Sequence, residues 1–154
     1  MKTVGDKLEK FVLTGVKPGQ PEDAFFPITE ESFAGKWKII VYYPKDFTFV
    51  CPTEIVAFDK LRSDFEDRDA VLLTGSTDNE FCKVSWQKAH PDLAKISHNQ
   101  FADTARDERS LINQLGVFYA PAGAALRATF IVDPQNVIQH ITVNNLNVGR
   151  SPEE

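Results

Sequence analysis

A mixed α/β sheet with helices on both faces is the fold class this sequence predicts, and three observations predict it. Trp37 to Tyr43 is a compact apolar run closed by Pro44, as expected of a buried strand. Ile55, Phe58, Leu61 and Phe65 then recur at three- and four-residue spacing, which predicts an amphipathic helix over 52–66. A second short apolar run, Ala70 to Leu73, follows it. Strand, helix, strand in this order implies a parallel pair with a right-handed crossover.

The remaining elements follow in order. Residues 1–35 are punctuated by Gly5, Gly15, Pro18, Gly19, Pro21 and Pro27, and read as loops and short edge strands around pieces such as Phe11-Val12-Leu13. Gly75-Ser76-Thr77-Asp78 reads as a turn, and a second helix covers about 79–89 before Pro91. Residues 91–104 read as loop with a short strand, and His98 there as a surface residue. Leu111, Ile112 and Leu115 mark a third helix closed by Gly116. Leu126–Val132 and Val137–Val143 flank the turn Asp133-Pro134-Gln135-Asn136 and form a hairpin. Ser151-Pro152-Glu153-Glu154 has the pattern of a capping box, so the sequence opens a further helix at its end and reads as truncated.

Composition narrows the function. The chain of 154 residues is the size of one domain, and 42% hydrophobic with 25% charged residues is ordinary for a globular protein. Twelve Phe supply core material. A net charge of −5 without a basic run argues against nucleic acid and anionic membrane surfaces as partners. No run approaches the roughly 20 apolar residues of a membrane span. The charged N-terminus does not read as a secretory signal. Two cysteines make no disulfide scaffold, and a reducing, cytoplasmic location is expected. Cys82, His90, His98 and His140 lack metal-ligand spacing, and no phosphate loop or flavin motif is present, so no cofactor is expected.

Cys51-Pro52 carries the strongest functional signal. Proline favours the first helical position, which places Cys51 at the N-cap. Unpaired backbone N–H groups and the positive end of the helix dipole there favour thiolate over thiol. A free thiol with a pKa near ~8.5 is about 3% ionised at pH 7; a pKa of about 6 makes it about 90% ionised, a difference of about 3.4 kcal/mol. The plain alternative is a small buried hydrophobe at a helix start.

The run Pro44-Lys45-Asp46-Phe47-Thr48-Phe49-Val50-Cys51-Pro52-Thr53-Glu54 resembles the active-site signature of the peroxiredoxins, most closely their typical two-cysteine group. Asp78-Asn79-Glu80-Phe81 leading to Trp86, Arg127 to Asp133, and Val148-Gly149-Arg150-Ser151 extend the resemblance over nearly the whole chain. It implies a thioredoxin-like fold with an N-terminal extension, in one domain over 1–154. It also implies a thiol-dependent peroxidase acting on hydrogen peroxide and organic hydroperoxides through a sulfenic acid at Cys51. Thr48, Arg127 and Pro44 are then the other catalytic candidates. A guanidinium offers a permanent charge and a planar fork of donors, and a threonine hydroxyl both accepts and donates. Glu54 and Arg150 are implied to pair and tie the catalytic loop to the C-terminal region. Trp86 is expected to pack beneath that loop.

The implied partners are a peroxide and a protein reductant, either a flavoprotein disulfide reductase or a thioredoxin-like protein. A further partner is a second copy of the chain, in a homodimer or a ring of dimers. The hairpin edge Val137–Val143 has no proline or lysine to protect it, which fits such pairing. The family's resolving cysteine lies in a C-terminal tail that this sequence does not contain. Cys82, four residues before Trp86, remains open as packing, resolving or auxiliary thiol. Two other functions compete with that of a thiol peroxidase. A disulfide reductase is disfavoured because no second cysteine follows Cys51 two residues on. A non-enzymatic peroxide sensor or holdase-like assembly would use the same thiol.

Overall fold

The computed structural model describes residues 1–47, 50–105, 107, 110–146, 148 and 150, the side chains of Val50 and Cys51 excepted. Seven strands form one mixed sheet: β1 (Val12–Val16), β2 (Phe25–Thr29), β3 (Trp37–Tyr42), β4 (Ala70–Ser76), β5 (Asn99–Ala102), β8 (Arg127–Val132) and β9 (Ile138–Asn144). Their order is β2-β1-β5-β4-β3-β8-β9. β3, β4 and β5 run parallel, and the hairpins at either side are antiparallel. The helices are α1 (Val50–Lys60), α2 (Arg62–Glu66), α3 (Glu80–Ala89) and α4 (Leu111–Leu115).

β3 is the axis of the molecule. It is buried from Lys38 to Tyr42, as a strand covered on both faces must be. Its neighbours are β4 on one side and β8 on the other, in the register Ile40↔Leu73 and Ile40↔Phe130. One face carries the main core of Leu13, Ile28, Ile40, Tyr42, Leu73, Phe101, Leu111, Ile112 and Phe130. On the other, Ile39, Val41 and Leu72 pack with Phe58 of α1.

Several expectations change in the structure. The N-terminal strands are not both edges: β1 lies between β2 and β5, and only β2, which carries Pro27, is at the border. Proline is tolerated there because an edge strand leaves one side of its backbone unpaired. The helix expected over 52–66 breaks at Leu61, whose φ of −92° and ψ of 0° leave the helical region, and resumes as α2. Gly75 lies inside β4, not in a turn. A Cβ there would sit 2.4 Å from the Phe101 carbonyl oxygen, so close strand packing requires the glycine. A two-stranded hairpin, β6 (Phe118–Tyr119) with β7 (Ala124–Ala125), joins α4 to β8; its strands are too short to carry a period. α4 ends at Gly116 with φ 70°, as expected of a left-handed cap. The capping-box pattern at 151–154 lies outside the described residues.

Candidate active site

The sheet register brings the candidate residues together. β3 ends at Tyr42 opposite Ala128, so Arg127 at the start of β8 stands beside the end of β3. The chain leaves β3 through a bend at Pro44 and enters α1 at Val50. The helix therefore begins one residue before the expected N-cap, and Cys51 is its second residue. The shift is physically small. The first four N–H groups of a helix have no intrahelical acceptor, so proline fits anywhere in the first turn. Cys51 remains in the first turn, at the positive end of the dipole. Thr48 lies outside the described residues.

One turn along α1, Glu54 is buried between two arginines. Its Oε1 accepts a hydrogen bond from Arg127 Nη1 at 2.5 Å, and its Oε2 accepts from Arg150 Nε at 2.8 Å. Side-chain exposures of 5%, 8% and 4% for Glu54, Arg127 and Arg150 make this a buried cluster, where geometry is fixed and screening is weak. Arg127 Nε also donates to the Leu146 carbonyl at 2.8 Å. Arg150 donates to the Tyr42 carbonyl and, at 3.2 Å, to Thr129 Oγ1. Its guanidinium lies over the Phe58 ring, 5.8 Å from the centroid. Glu54 thus ties α1 to β8 and to the segment after β9. Two guanidinium groups and one carboxylate sum to a formal charge of +1 next to the first turn of α1.

A second polar cluster underlies the approach to Cys51, and sequence reading missed it. Lys83 on α3 is fully buried. Its ammonium donates to Ser76 Oγ at 2.8 Å, to the Asp78 carbonyl at 3.3 Å and to Asp46 Oδ2 at 3.4 Å. All three of its donors are therefore used. The Tyr43 hydroxyl donates to Asp46 Oδ1 at 2.5 Å, and Asp78 Oδ2 accepts from the Asp46 backbone N–H at 2.7 Å. Burial pushes the Asp46 carboxyl up and the Lys83 ammonium down from their ordinary values, and their mutual attraction opposes both shifts. The Tyr43 hydroxyl is held well above its ordinary value by burial and by Asp46.

The polar contacts continue across the sheet. Gln100 Nε2 lies 3.4 Å from both the Tyr43 hydroxyl and Thr74 Oγ1, and its Oε1 accepts from Gln87 at 2.8 Å. Thr74 Oγ1 meets His98 Nε2 at 2.8 Å, and His98 Nδ1 meets Asp59 Oδ1 at 2.7 Å. His98, expected at the surface, is 3% exposed. The same Asp59 oxygen accepts the backbone N–H groups of Ser97 and His98. Burial would raise the Asp59 carboxyl, but these hydrogen bonds and the imidazole together hold it below its ordinary 3.8. Asp59 follows Cys51 on α1 and Asp46 precedes it, so the network grips the segment carrying Cys51 at both ends. The signal in the sequence was the polar content of residues 97–100 inside an α/β core.

Cys82 is a free thiol. The buried face of α3 consists of Lys83, Trp86 and Gln87, so Cys82 does not share the packed position of Trp86 and is half-buried at its border. Trp86 itself is 3% exposed and packs under the loop, its ring 5.8 Å from Tyr43 and 5.9 Å from Phe47.

A model described as the AhpC/TSA family matches residues 4–141. This chain belongs to the AhpC/TSA family. Alkyl hydroperoxide reductase C of Mycolicibacterium smegmatis is 46% identical over 99% of this chain and 80% of its own length. The human protein named thioredoxin-dependent peroxide reductase, mitochondrial, is 38% identical over 84% of this chain and 51% of its own. Among solved structures, Mycobacterium tuberculosis AhpC superposes with a TM-score of 0.88 at 42% identity, covering 99% of this chain and 88% of that one. The fold is the thioredoxin-like peroxiredoxin fold, and the chain is a thiol peroxidase of that class. Among the described residues no helix is long and apolar enough to cross a membrane.

Proposed function

We propose that the chain reduces hydrogen peroxide and organic hydroperoxides through Cys51. The observation that carries this reading is the Arg127–Glu54–Arg150 cluster, a buried surplus of positive charge beside the helix turn that holds the cysteine. That charge and the helix N-terminus both favour the thiolate. The thiolate attacks one peroxide oxygen in line. A sulfur–oxygen bond forms, the O–O bond breaks, and the other oxygen leaves as hydroxide or alkoxide and takes a proton. Cys51 becomes a sulfenic acid. Arg127 supplies charge where the departing oxygen develops it. Thr48 passes the peroxide proton through its hydroxyl, and Pro44 walls off the site without offering a competing N–H.

A dithiol protein, flavoprotein-linked or thioredoxin-like, returns the sulfenic acid to thiol, releasing water and becoming a disulfide. The name of the human relative is the support for such a reductant. A reducing compartment such as the cytoplasm suits this cycle. Cys82 takes no part in the first oxidation. The non-enzymatic sensor or holdase reading is not favoured, because the relatives bear enzyme names.

Assembly follows from the sheet. β9 is a border strand with Val143 44% exposed, and a two-fold dimer pairing this edge with its copy closes it. Phe47, 57% exposed and four residues before Cys51, suits a second contact that joins dimers into a ring.

Replacing the nucleophile tests the reading. Cys51→Ser should abolish single-turnover reaction with hydrogen peroxide, because a serine hydroxyl is neither ionised near pH 7 nor oxidised to a sulfenic acid. Cys82→Ser should keep the wild-type rate. Rapid mixing followed by mass spectrometry checks both; a Cys51→Ser protein that still consumes peroxide would overturn the assignment.

A further inference from the structure

We infer that Lys83 is a positioning residue for the peroxide reaction, fixing through Asp46 the turn that delivers Cys51. The inference rests on the peroxidase reading above. α3 presents Lys83 and Trp86 three residues apart, on one helical face. Both reach the same short segment, Tyr43 to Phe47. The ammonium holds Asp46 and lies 5.5 Å from the centroid of the Tyr43 ring, while Trp86 packs against Tyr43 and Phe47. Phe47 has φ 60°, in the left-handed region that bulky residues avoid. Such a conformation persists only where its surroundings over-determine it. Here Asp46 is held by its side chain and by its backbone N–H, and the next ring is stacked from below.

Fold stability alone does not call for this arrangement. A buried ion pair is often matched by apolar side chains of similar volume. What an apolar residue does not do is grip a carboxylate in one orientation. Only residues 48–50 separate Phe47 from Cys51, so a turn at Asp46–Phe47 that is free to rotate displaces the groups around the thiol. In-line attack on a peroxide is sensitive to misplacement on the scale of 1 Å. Simple alkylation of a thiolate needs no oriented partner. The two reactions therefore separate positioning from ionisation.

The experiment uses the Cys82→Ser background, so that Cys51 is the only thiol. Lys83→Met and the double variant Lys83→Met/Asp46→Asn are compared with the parent. The readouts are the single-turnover rate with hydrogen peroxide and the rate of alkylation by iodoacetamide. Both variants should lose about 10-fold or more with peroxide and stay within about 3-fold with iodoacetamide. The double variant leaves no unpaired buried charge, so it keeps the test open if Lys83→Met alone does not fold. A folded double variant within about 2-fold of the parent with peroxide overturns the inference, as does an equal loss in both reactions. A double variant that fails to fold makes the pair a requirement of the fold and overturns it too. A parent protein with no peroxide rate overturns the peroxidase reading itself, and this inference with it.

Discussion

Arg127 meets its partners through two edges of one planar group: Nη1 holds Glu54, and Nε holds the Leu146 carbonyl. A lysine at the same place has a compact head and no fork, so it keeps the charge but not both contacts. Arg127→Lys should lower the single-turnover rate with hydrogen peroxide by about 10²-fold, comparable to loss of an oxyanion donor. Stopped-flow peroxide kinetics check this, and a rate near wild type would remove Arg127 from the reaction. Glu54 was legible in the sequence because it closes a long motif, and Arg127 because it opens a separate segment, Arg127 to Asp133, that extends the same resemblance. Lys83 and Asp46 were not, because a lysine three residues before a tryptophan looks the same whether it faces water or core. Their burial is decided by the turn after β3, which no local period describes.

At the level of elements, α1 is tethered at its far end by Asp59. The folded carboxyl lies below its ordinary 3.8, so its stabilising effect is fully present above that pH and is lost as pH falls through the folded value. Asp59→Asn should cost about 1–2 kcal/mol at pH 7, the scale of a charged hydrogen bond. The gap to wild type should begin to narrow as pH falls below 3.8, and urea unfolding followed from pH 7 downward measures it. β4 offers a second check. Gly75 pairs with Tyr42 on one side and Phe101 on the other, and those two rings meet edge to face at 5.1 Å. Gly75→Ala should destabilise by about 2–3 kcal/mol through overpacking, as read by thermal unfolding. This glycine was misread as part of a turn because Gly-Ser-Thr-Asp is a turn composition. Contact between neighbouring strands overrode the local preference. The strands β3 and β8 and the helix face of α1 were legible because they are long enough to show a period or an apolar run.

For the whole molecule, the proposed assembly rests on the border strand β9. Val143→Glu places two like charges across the proposed two-fold and should shift the reduced protein from dimer towards monomer, with little effect on a residue already 44% exposed in the single chain. Sedimentation velocity at micromolar concentration checks it. The opposite border has a different consequence, which concerns the order of events during synthesis. β1 has no neighbour except β2 until β5 exists, because it pairs with Gln100–Ala102. The segment before it hydrogen-bonds to Asn136 and Ile138, at the start of β9. β1 and β2 are therefore made well before the strand that completes the place of β1, while β3 and β4, close in sequence, pair early. Until β5 emerges, the β1–β2 hairpin carries an open edge, and Leu13, Val16 and Ile28, buried in the finished protein, lack that neighbouring strand. In that interval the nascent chain offers the unpaired edge of β1 to misassociation.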